Sequence, residues 1–365
     1  MRRSLLLVLA SALLAACAGN VASPADGTLS RIAFGSCANQ LVAQPIWDAI
    51  AAQDPDVFLL IGDAIYADYD GDLLVPVTAQ TLRRDWQRFA VEPHFAQFRR
   101  VTDVLATWDN HDYGAFDGGA EFDLKEASKT AFLDFFNEPA DSERRRRPGI
   151  YTAQVFGEPG RRVQVILLDT RYFKNASKQD TRTAAERSVA GLSGSLGLFL
   201  ATDDESTTLL GADQWRWLEE QLLVPAEIRL MVSSTQVIPD QKGMDEWGNF
   251  PHERRRLFNL IAATRAEGVI LLSGNVHFAE LSLLHDGPYP LVEFTSSGLT
   301  HTNSVYAAAA NEYRVGKAFD GLNFGLVDID WEAVPSPEIQ LRVLDGQGQT
   351  AIKHSIALSD LQHRP

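Results

Sequence analysis

Two cysteines in 365 residues leave no disulfide framework to hold this chain together. Basic residues are also scarce. Lysine and arginine total 33 against 48 acidic residues, giving a formal charge of −15. A protein that neutralises nucleic-acid phosphates needs a basic surface, so general polynucleotide binding is disfavoured. An anionic substrate meets a repulsive average field, so its site must carry local positive charge, and bound metal cations are the obvious source. Several catalytic signatures are missing: G-x-S-x-G, H-E-x-x-H, the P-loop and G-x-G-x-x-G. Serine hydrolase, zincin and nucleotide-cofactor readings therefore fall. There is no internal repeat and no long low-complexity tract. What the chain does have is 45% hydrophobic residues, with 19 Phe, 7 Trp and 8 Tyr spread along it. That composition excludes disorder and supplies a large core.

Residues 1–17 read as an address. Arg2 and Arg3 form a positive start, and Leu5 to Leu14 a short apolar run. The run is below the roughly 20 residues of a spanning helix, so residues 1–16 are expected to be a secretory signal peptide. Its end, Leu14-Ala15-Ala16-Cys17, resembles a bacterial lipoprotein signal, in which cleavage leaves the cysteine first and lipidated. The competing reading is ordinary cleavage near Ala16 or Ala22. Ala18, not Asp, follows the cysteine, and by the same resemblance this favours an outer-membrane anchor facing the periplasm. Residues 17–29 would then be a lipidated tether, and 30–365 a single domain. With Cys17 lipidated or removed, Cys37 has no partner. It is a small buried hydrophobe, a nucleophile or a metal ligand.

Apolar, β-branched runs recur at 31–34, 57–61, 101–108, 163–168, 228–232, 269–272 and 291–294. All seven end in hydrogen-bonding or metal-binding residues. Later strands are expected at 324–329 and 339–343. Helical periodicity fills the gaps at 46–52, 78–90, 125–136, 212–223 and 253–265. Strands alternating with helices indicate an α/β fold, where chemistry collects beyond the carboxyl ends of the strands. Two stretches, near 114–160 and 175–206, look like insertions that lid a site. The first contains Arg144 to Arg147, read as a solvated patch or as a phosphate or membrane contact.

The strand ends offer a metal-ligand set: Cys37; Asp63 and Tyr66; Asp109, Asn110 and His111; Asn275 and His277. Carboxylate and amide oxygens suit hard ions such as Ca²⁺ or Mg²⁺, while thiolate, phenolate and imidazole together suit iron. Asp68, Asp70 and Asp72 alternate like a calcium loop but lack the Glu that an EF-hand requires, so they are expected to form a solvated acidic loop. His301 follows a strand and is read either as reaching the site or as lying in a surface loop.

Five motifs then stand in order. They are Gly35-Ser36-Cys37, Gly62-Asp63-Ala64-Ile65-Tyr66, Trp108-Asp109-Asn110-His111-Asp112, Leu168-Asp169-Thr170-Arg171 and Ser273-Gly274-Asn275-Val276-His277. Together they resemble the PhoD-like alkaline phosphatases, relatives of the calcineurin-like metallophosphoesterases, over about residues 31–329. The resemblance implies a four-layer αββα sandwich of two mixed sheets flanked by helices. It implies Fe³⁺ with one or two Ca²⁺ ions. Cys37, Tyr66 and His277 would hold the ferric ion, Asp63 would bridge, and Asn110 would bind the second metal. His111 would sit near the leaving-group oxygen or the transferring phosphoryl group. Arg171 would fix phosphate or support the metal shell. The implied activity is hydrolysis of a small phosphate mono- or diester by in-line attack of a metal-bound hydroxide.

Two departures stand out. Asn275 occupies a position where the family usually has Asp, which removes one negative charge. The extra N-terminal β-domain of better-known members cannot fit in residues 18–29. The alternative to an enzyme is a noncatalytic surface lipoprotein that keeps the fold and binds a phosphorylated ligand.

Overall fold

The structure is a computed structural model and describes residues 27–71 and 73–363. The expected signal peptide, Cys17 and Asp72 lie outside the described residues. Among those described, no helix is long and apolar enough to cross a membrane.

Twelve strands make two six-stranded sheets. In chain order they are β1 (Arg31–Gly35), β2 (Val57–Ile61), β3 (Asp103–Thr107), β4 (Thr152–Phe156), β5 (Val163–Leu167) and β6 (Ile228–Val232). They continue with β7 (Val269–Ser273), β8 (Ala279–Leu284), β9 (Leu291–Ser296), β10 (Asn323–Asp330), β11 (Glu338–Asp345) and β12 (Thr350–Ala357). The first sheet runs β12-β11-β10-β1-β2-β3, and the second β8-β9-β7-β6-β5-β4. Both are mixed. In the first, β1, β2 and β3 are parallel while β10 lies antiparallel against β1. In the second, β5, β6, β7 and β9 are parallel, with antiparallel edges β4 and β8.

Alternation along the strands builds the layers. Ile32 and Phe34 of β1, with Val57, Leu59 and Ile61 of β2, enter the core between the sheets. The ring of Phe34 meets Phe294 of the other sheet edge to face at 5.5 Å. Ala33, Phe58 and Leu60 point the other way, under four helices. These are α1 (Ile46–Ala51), α2 (Ala79–Ala90), α3 (Pro93–Phe98) and, after the single turn α4 (Asn110–Tyr113), α5 (Lys125–Phe135). Trp47 anchors that layer, with ring centroids 4.9–5.2 Å from Phe58, Phe95 and Phe98. The helix starts are written in the sequence. Thr78 accepts from the Thr81 amide at 3.1 Å while the Thr81 hydroxyl accepts from the Thr78 amide at 2.9 Å, a reciprocal cap on α2. The outer face of the second sheet is covered by α6 (Gly211–Leu222) and α7 (Pro251–Thr264), through Trp215, Leu218, Leu257 and Ile261. The layer order is helix, sheet, sheet, helix.

The nine strands and five helices read from the sequence are present, with ends shifted by two residues or fewer. Three strands escaped that reading: β4, β8 and β12. Each is an edge strand, so none needs the continuous apolar run that marks a central parallel strand. The segment 114–160 is not a free lid. It contains α5, packed on the first sheet, and β4, paired in the second. In 175–206, Lys178–Gln179 pairs with Phe199–Leu200, and the helix Ala184–Val189 lies between them.

The arginine run is corrected as well. Arg144 is buried and donates to the Ala106 carbonyl at 2.9 Å. Arg145 donates to the Glu138 carbonyl at 2.8 Å and pairs with Asp134 at 2.9 Å. Arg147 lies 3.8 Å above the ring of Tyr151. The run ties down the loop between α5 and β4, and its guanidinium groups are engaged there rather than presented to a phosphate.

Candidate metal centre

The seven strand ends converge, and the backbone at that end is unusual. Cys37, Asp63, Asn275 and His277 all adopt left-handed conformations, with φ of 64°, 53°, 69° and 59°. For residues with a Cβ this costs roughly 1–2 kcal/mol apiece, so the surroundings must impose it. They do so through hydrogen bonds. The Cys37 amide donates to the Gly62 carbonyl at 3.3 Å, and the Ala38 amide to the Asp63 carbonyl at 2.7 Å. The His277 amide donates to Ser297 Oγ at 2.9 Å. The buried carboxylate of Asp112 accepts from the amides of Asp63, Ala64 and Ile65 at 2.6, 2.8 and 2.9 Å, and from Asp109 at 2.9 Å. It therefore fixes the turn that carries Asp63 and Tyr66 against the turn that carries Asn110 and His111.

Gly62 is required at the crossing. Its φ is +106°, and a Cβ there would stand 2.6 Å from the Asp109 Cβ and 3.2 Å from that of Ser234. Gly62→Ala is expected to cost about 2–4 kcal/mol through backbone strain and overpacking. Urea unfolding measures it, and a loss below ~0.5 kcal/mol would mean that the crossing gives way.

Within this frame the first group of ligands meets. One ligand atom each from Cys37, Asp63 and His277 lies within 4.8 Å of the others. The Cys37 sulfur is 3.5 Å from Asp63 Oδ2 and 3.1 Å from Ser297 Oγ. Tyr66 completes the wall: its ring stacks on His111 at 4.3 Å and its hydroxyl lies 2.9 Å from His301 Nε2. His301 in turn packs edge to face on His277 at 4.4 Å. Burial pushes the Cys37 thiol well above its usual range, and Asp63 adds to the effect. Burial does the same to Tyr66, again helped by Cys37 and Asp63. The Asp63 carboxyl is pushed up to about 7 by burial, with Asp109 adding to it and His111 and Arg171 pulling against it. His277 is pushed well below the imidazole range by burial and by His301 and His111. The group is thus a neutral imidazole beside three acids that burial holds toward their neutral forms. A cation reverses that balance by favouring thiolate, phenolate and carboxylate together. The residues fit a metal.

A second, smaller compartment of about 40 Å³ adjoins it, with Asn110, Asp117, Asp245, Asn275 and His277 in its wall. The Asn110 side-chain oxygen is buried there with no hydrogen-bond partner, as a metal-ligating amide would be. Asn275 donates through Nδ2 to the Asp245 carbonyl at 3.1 Å, which leaves its own oxygen free of that bond. Asp245, which the sequence did not single out, brings a carboxylate beside the position where Asn275 replaces the usual Asp.

Asp109 and Arg171 stand behind the cavity rather than in its wall. Arg171 is fully buried and its Nε donates to Asp109 Oδ1 at 2.6 Å, while Nη1 pairs with Asp245 at 2.5 Å. Burial opposes the Arg171 charge, but Asp109 and Asp245 outweigh it and hold the proton firmly. Of its two expected roles, the geometry leaves the support of the shell: a guanidinium sealed at 0% exposure between two carboxylates has no face for a substrate. Asp109, expected among the ligands, gives Oδ1 to that guanidinium, and its Oδ2 is buried without a hydrogen-bond partner.

His111 lines both compartments. Its Nδ1 lies 2.8 Å from Asp68 Oδ1, which selects the tautomer and orients the ring. Burial works against protonating His111, yet Asp63 and Asp68 outweigh it and raise its pKa. Asp68 is therefore no solvated loop residue: it is buried, and it positions a histidine. His301 reaches the site, the first of its two expected placements. Asp68 stood next to a recognised motif and Asp112 closed one, but only the folded chain shows what their carboxylates hold. Asp245 had no local signal at all.

The model of the PhoD-like phosphatase family matches residues 32–330. No curated protein matches the chain. Among solved structures, a PhoD structure superposes with a TM-score of 0.68 at 16% identity, covering 93% of this chain and 72% of that one, which shows a common fold. A 5'-nucleotidase precursor from Thermus thermophilus gives a TM-score of 0.37 at 12% identity, over 92% of this chain and 54% of that one, too low to carry an argument. With the family model spanning most of its length, the chain belongs to the PhoD-like phosphatase family and is a metal-dependent phosphoric ester hydrolase.

Proposed function

We propose that the protein hydrolyses small phosphate mono- or diesters with Fe³⁺ held by Cys37, Tyr66 and His277, and Ca²⁺ held by Asn110 and Asn275, with Asp63 between them. The observation that carries this reading is the Cys37–Asp63–His277 group within 4.8 Å, whose His277 lines an open cavity of about 450 Å³. Thiolate, phenolate and imidazole favour iron, and amide and carboxylate oxygens favour a hard divalent ion. When bound, such a metal pair supplies Lewis acidity that activates water and takes up charge on phosphoryl oxygens. The chain's own residues do the rest. Asp112 and Arg171 hold the ligand turns in place. His111, oriented by Asp68, keeps Nε2 free of that bond, and from there it holds a proton for the departing oxygen. We also propose that lipidated Cys17 anchors the protein at the outer membrane facing the periplasm. Intact mass of the membrane-extracted protein tests that anchor.

The test of function is metal analysis of the purified protein, alongside hydrolysis of 4-nitrophenyl phosphate and its bis ester with and without Ca²⁺. The expected result is about one iron per chain, matching the single thiolate-containing group, and calcium-dependent turnover. Protein that stays folded, metal-free and inactive after reconstitution would overturn the reading and favour a binding lipoprotein.

A further inference from the structure

The open cavity next to the metal centre has a composition that the hydrolytic reading does not require. Among the described residues in its wall there is no lysine and no arginine. Arg171 and Lys174, which pair with the carboxylates of Asp245 and Asp117 beside the site, are buried at 0% exposure. Both are neutralised there: Arg171 by Asp109 and Asp245, and Lys174 by Asp117, 2.6 Å from its Nζ. A phosphate monoester carries a charge of about −1.5 to −2 at neutral pH, whereas a diester carries only one. Among the described residues of the wall His111 is the one side chain that can carry positive charge, so a second negative charge on the substrate meets no further side-chain cation.

Beside the polar side of the wall, formed by Asn39, Ser195, Thr300 and the three histidines, stands an aromatic and apolar side. Tyr69, Phe116 and Tyr306 line the cavity together with Val42. Phe116 and Val42 are also among the chain's exposed large hydrophobic residues, at 42% and 46%. The strand pair that ties Tyr69–Asp70 to Leu73–Leu74 holds the turn whose Tyr69 and Gly71 line the cavity. Singly exposed apolar residues are ordinary, but several gathered at the mouth of one cavity mark a binding surface. Tyr306 is fixed in place, because its hydroxyl accepts from the Ser195 amide at 2.8 Å. Tyr69 leans edge-on against His111 at 5.2 Å, so the aromatic wall adjoins the group placed at the departing oxygen.

We infer that this cavity is a subsite for the uncharged, flat or apolar arm of a phosphodiester, and that Phe116, Tyr69 and Tyr306 set that specificity. The inference rests on the proposed hydrolytic function and narrows it. The metal centre takes the phosphoryl group, and the aromatic wall takes the second ester arm, which a monoester does not have. Stacking and apolar contact are worth most when the arm is planar.

Three esters with the same leaving group separate the possibilities in the metal-loaded protein: 4-nitrophenyl phosphate, methyl 4-nitrophenyl phosphate and phenyl 4-nitrophenyl phosphate. After correction for uncatalysed rates, kcat/KM is expected to be highest for the phenyl diester. It should exceed the methyl diester roughly tenfold, the scale of a well-filled apolar pocket, and the monoester should be poorest. In Phe116→Ala and in Tyr69→Ala the phenyl-to-methyl ratio should fall toward one. Both side chains lie at the cavity mouth, so either truncation leaves the core intact, and circular dichroism checks this. Equal rates for the two diesters, a ratio unmoved by both variants, or a preference for the monoester would overturn the subsite while leaving the phosphoesterase standing. Failure to hydrolyse any of the three esters would overturn the proposed function, and the subsite with it.

Discussion

Asp63→Asn is expected to lower turnover by roughly three orders of magnitude or more, the scale on which a catalytic unit fails when one member is lost. The variant should fold. Asn is nearly isosteric with Asp and tolerates the left-handed φ of 53° that position 63 adopts. Its effect on stability depends on pH, and the sign follows from burial. The Asp63 carboxyl, ordinarily near 3.8, is pushed up to about 7 in the folded chain, chiefly by burial. Below about pH 4 the folded and unfolded states both hold the proton, and the group does not bias folding. Between about 4 and 7 the folded state keeps a proton that the unfolded state has released, so stability falls as pH rises through that window. At ~1.4 kcal/mol per pH unit the loss approaches about 4 kcal/mol in metal-free protein. Asp63→Asn removes that slope. Urea unfolding of both metal-free proteins from pH 4 to 8 should show the variant gaining on the wild type as pH rises. Parallel stability curves would refute the burial argument, and unchanged turnover would remove Asp63 from the site.

The second large effect is structural. Arg171→Met should destabilise the protein by about 3–5 kcal/mol, the cost of leaving buried charges unpaired. Arg171 is fully buried, and its guanidinium serves Asp109 and Asp245 together. Arg171→Lys should recover part of the loss, since one ammonium pairs with one carboxylate but cannot reproduce the fork. The shift in urea midpoint reads both. A loss below ~1 kcal/mol for Arg171→Met would mean that Asp109 and Asp245 are not held by this group.

Much of this site is legible in the order of residues along the chain. Cys37, Asp63, Tyr66, Asn110 and His277 each follow an apolar strand, and strand ends in parallel sheets share one face. What sequence could not show is how oxygen atoms are apportioned. Asp109 sits in the same motif as Asn110, yet its Oδ1 turns to Arg171, while its Oδ2 and the Asn110 oxygen both stay buried without a hydrogen-bond partner. Only the packing of 171 against 109 and 245 decides that. Asp68 and Asp112 act through bonds to His111 and to four backbone amides, and such bonds leave no periodic trace. The central strands were legible because burial on both faces writes a continuous apolar run. The edge strands β4, β8 and β12 were not, because edges need no such run. The arginine run misled for a related reason: four charges in a row look like surface, while Arg144 spends its charge on carbonyls and Arg147 on an aromatic ring.

The order of the strands also dictates when the site can exist. The first sheet is built from both ends of the chain, and the second from its middle. Arg31 at the start of β1 reaches Asp328 of β10, 297 residues later, and β1 has no neighbour on that side until β10 docks. Loop closure over such a separation is slow, so this pairing belongs late in folding. Asn275 and His277 come from the contiguous second sheet, Cys37 and Asp63 from the first. A nascent chain that has completed the second sheet already contains every one of these ligands, but the sheet that places Cys37 and Asp63 still has an unpaired flank where β10 belongs. Truncation before β10 keeps every motif but leaves β1 exposed along one edge, with the Arg31–Asp328 pair lost.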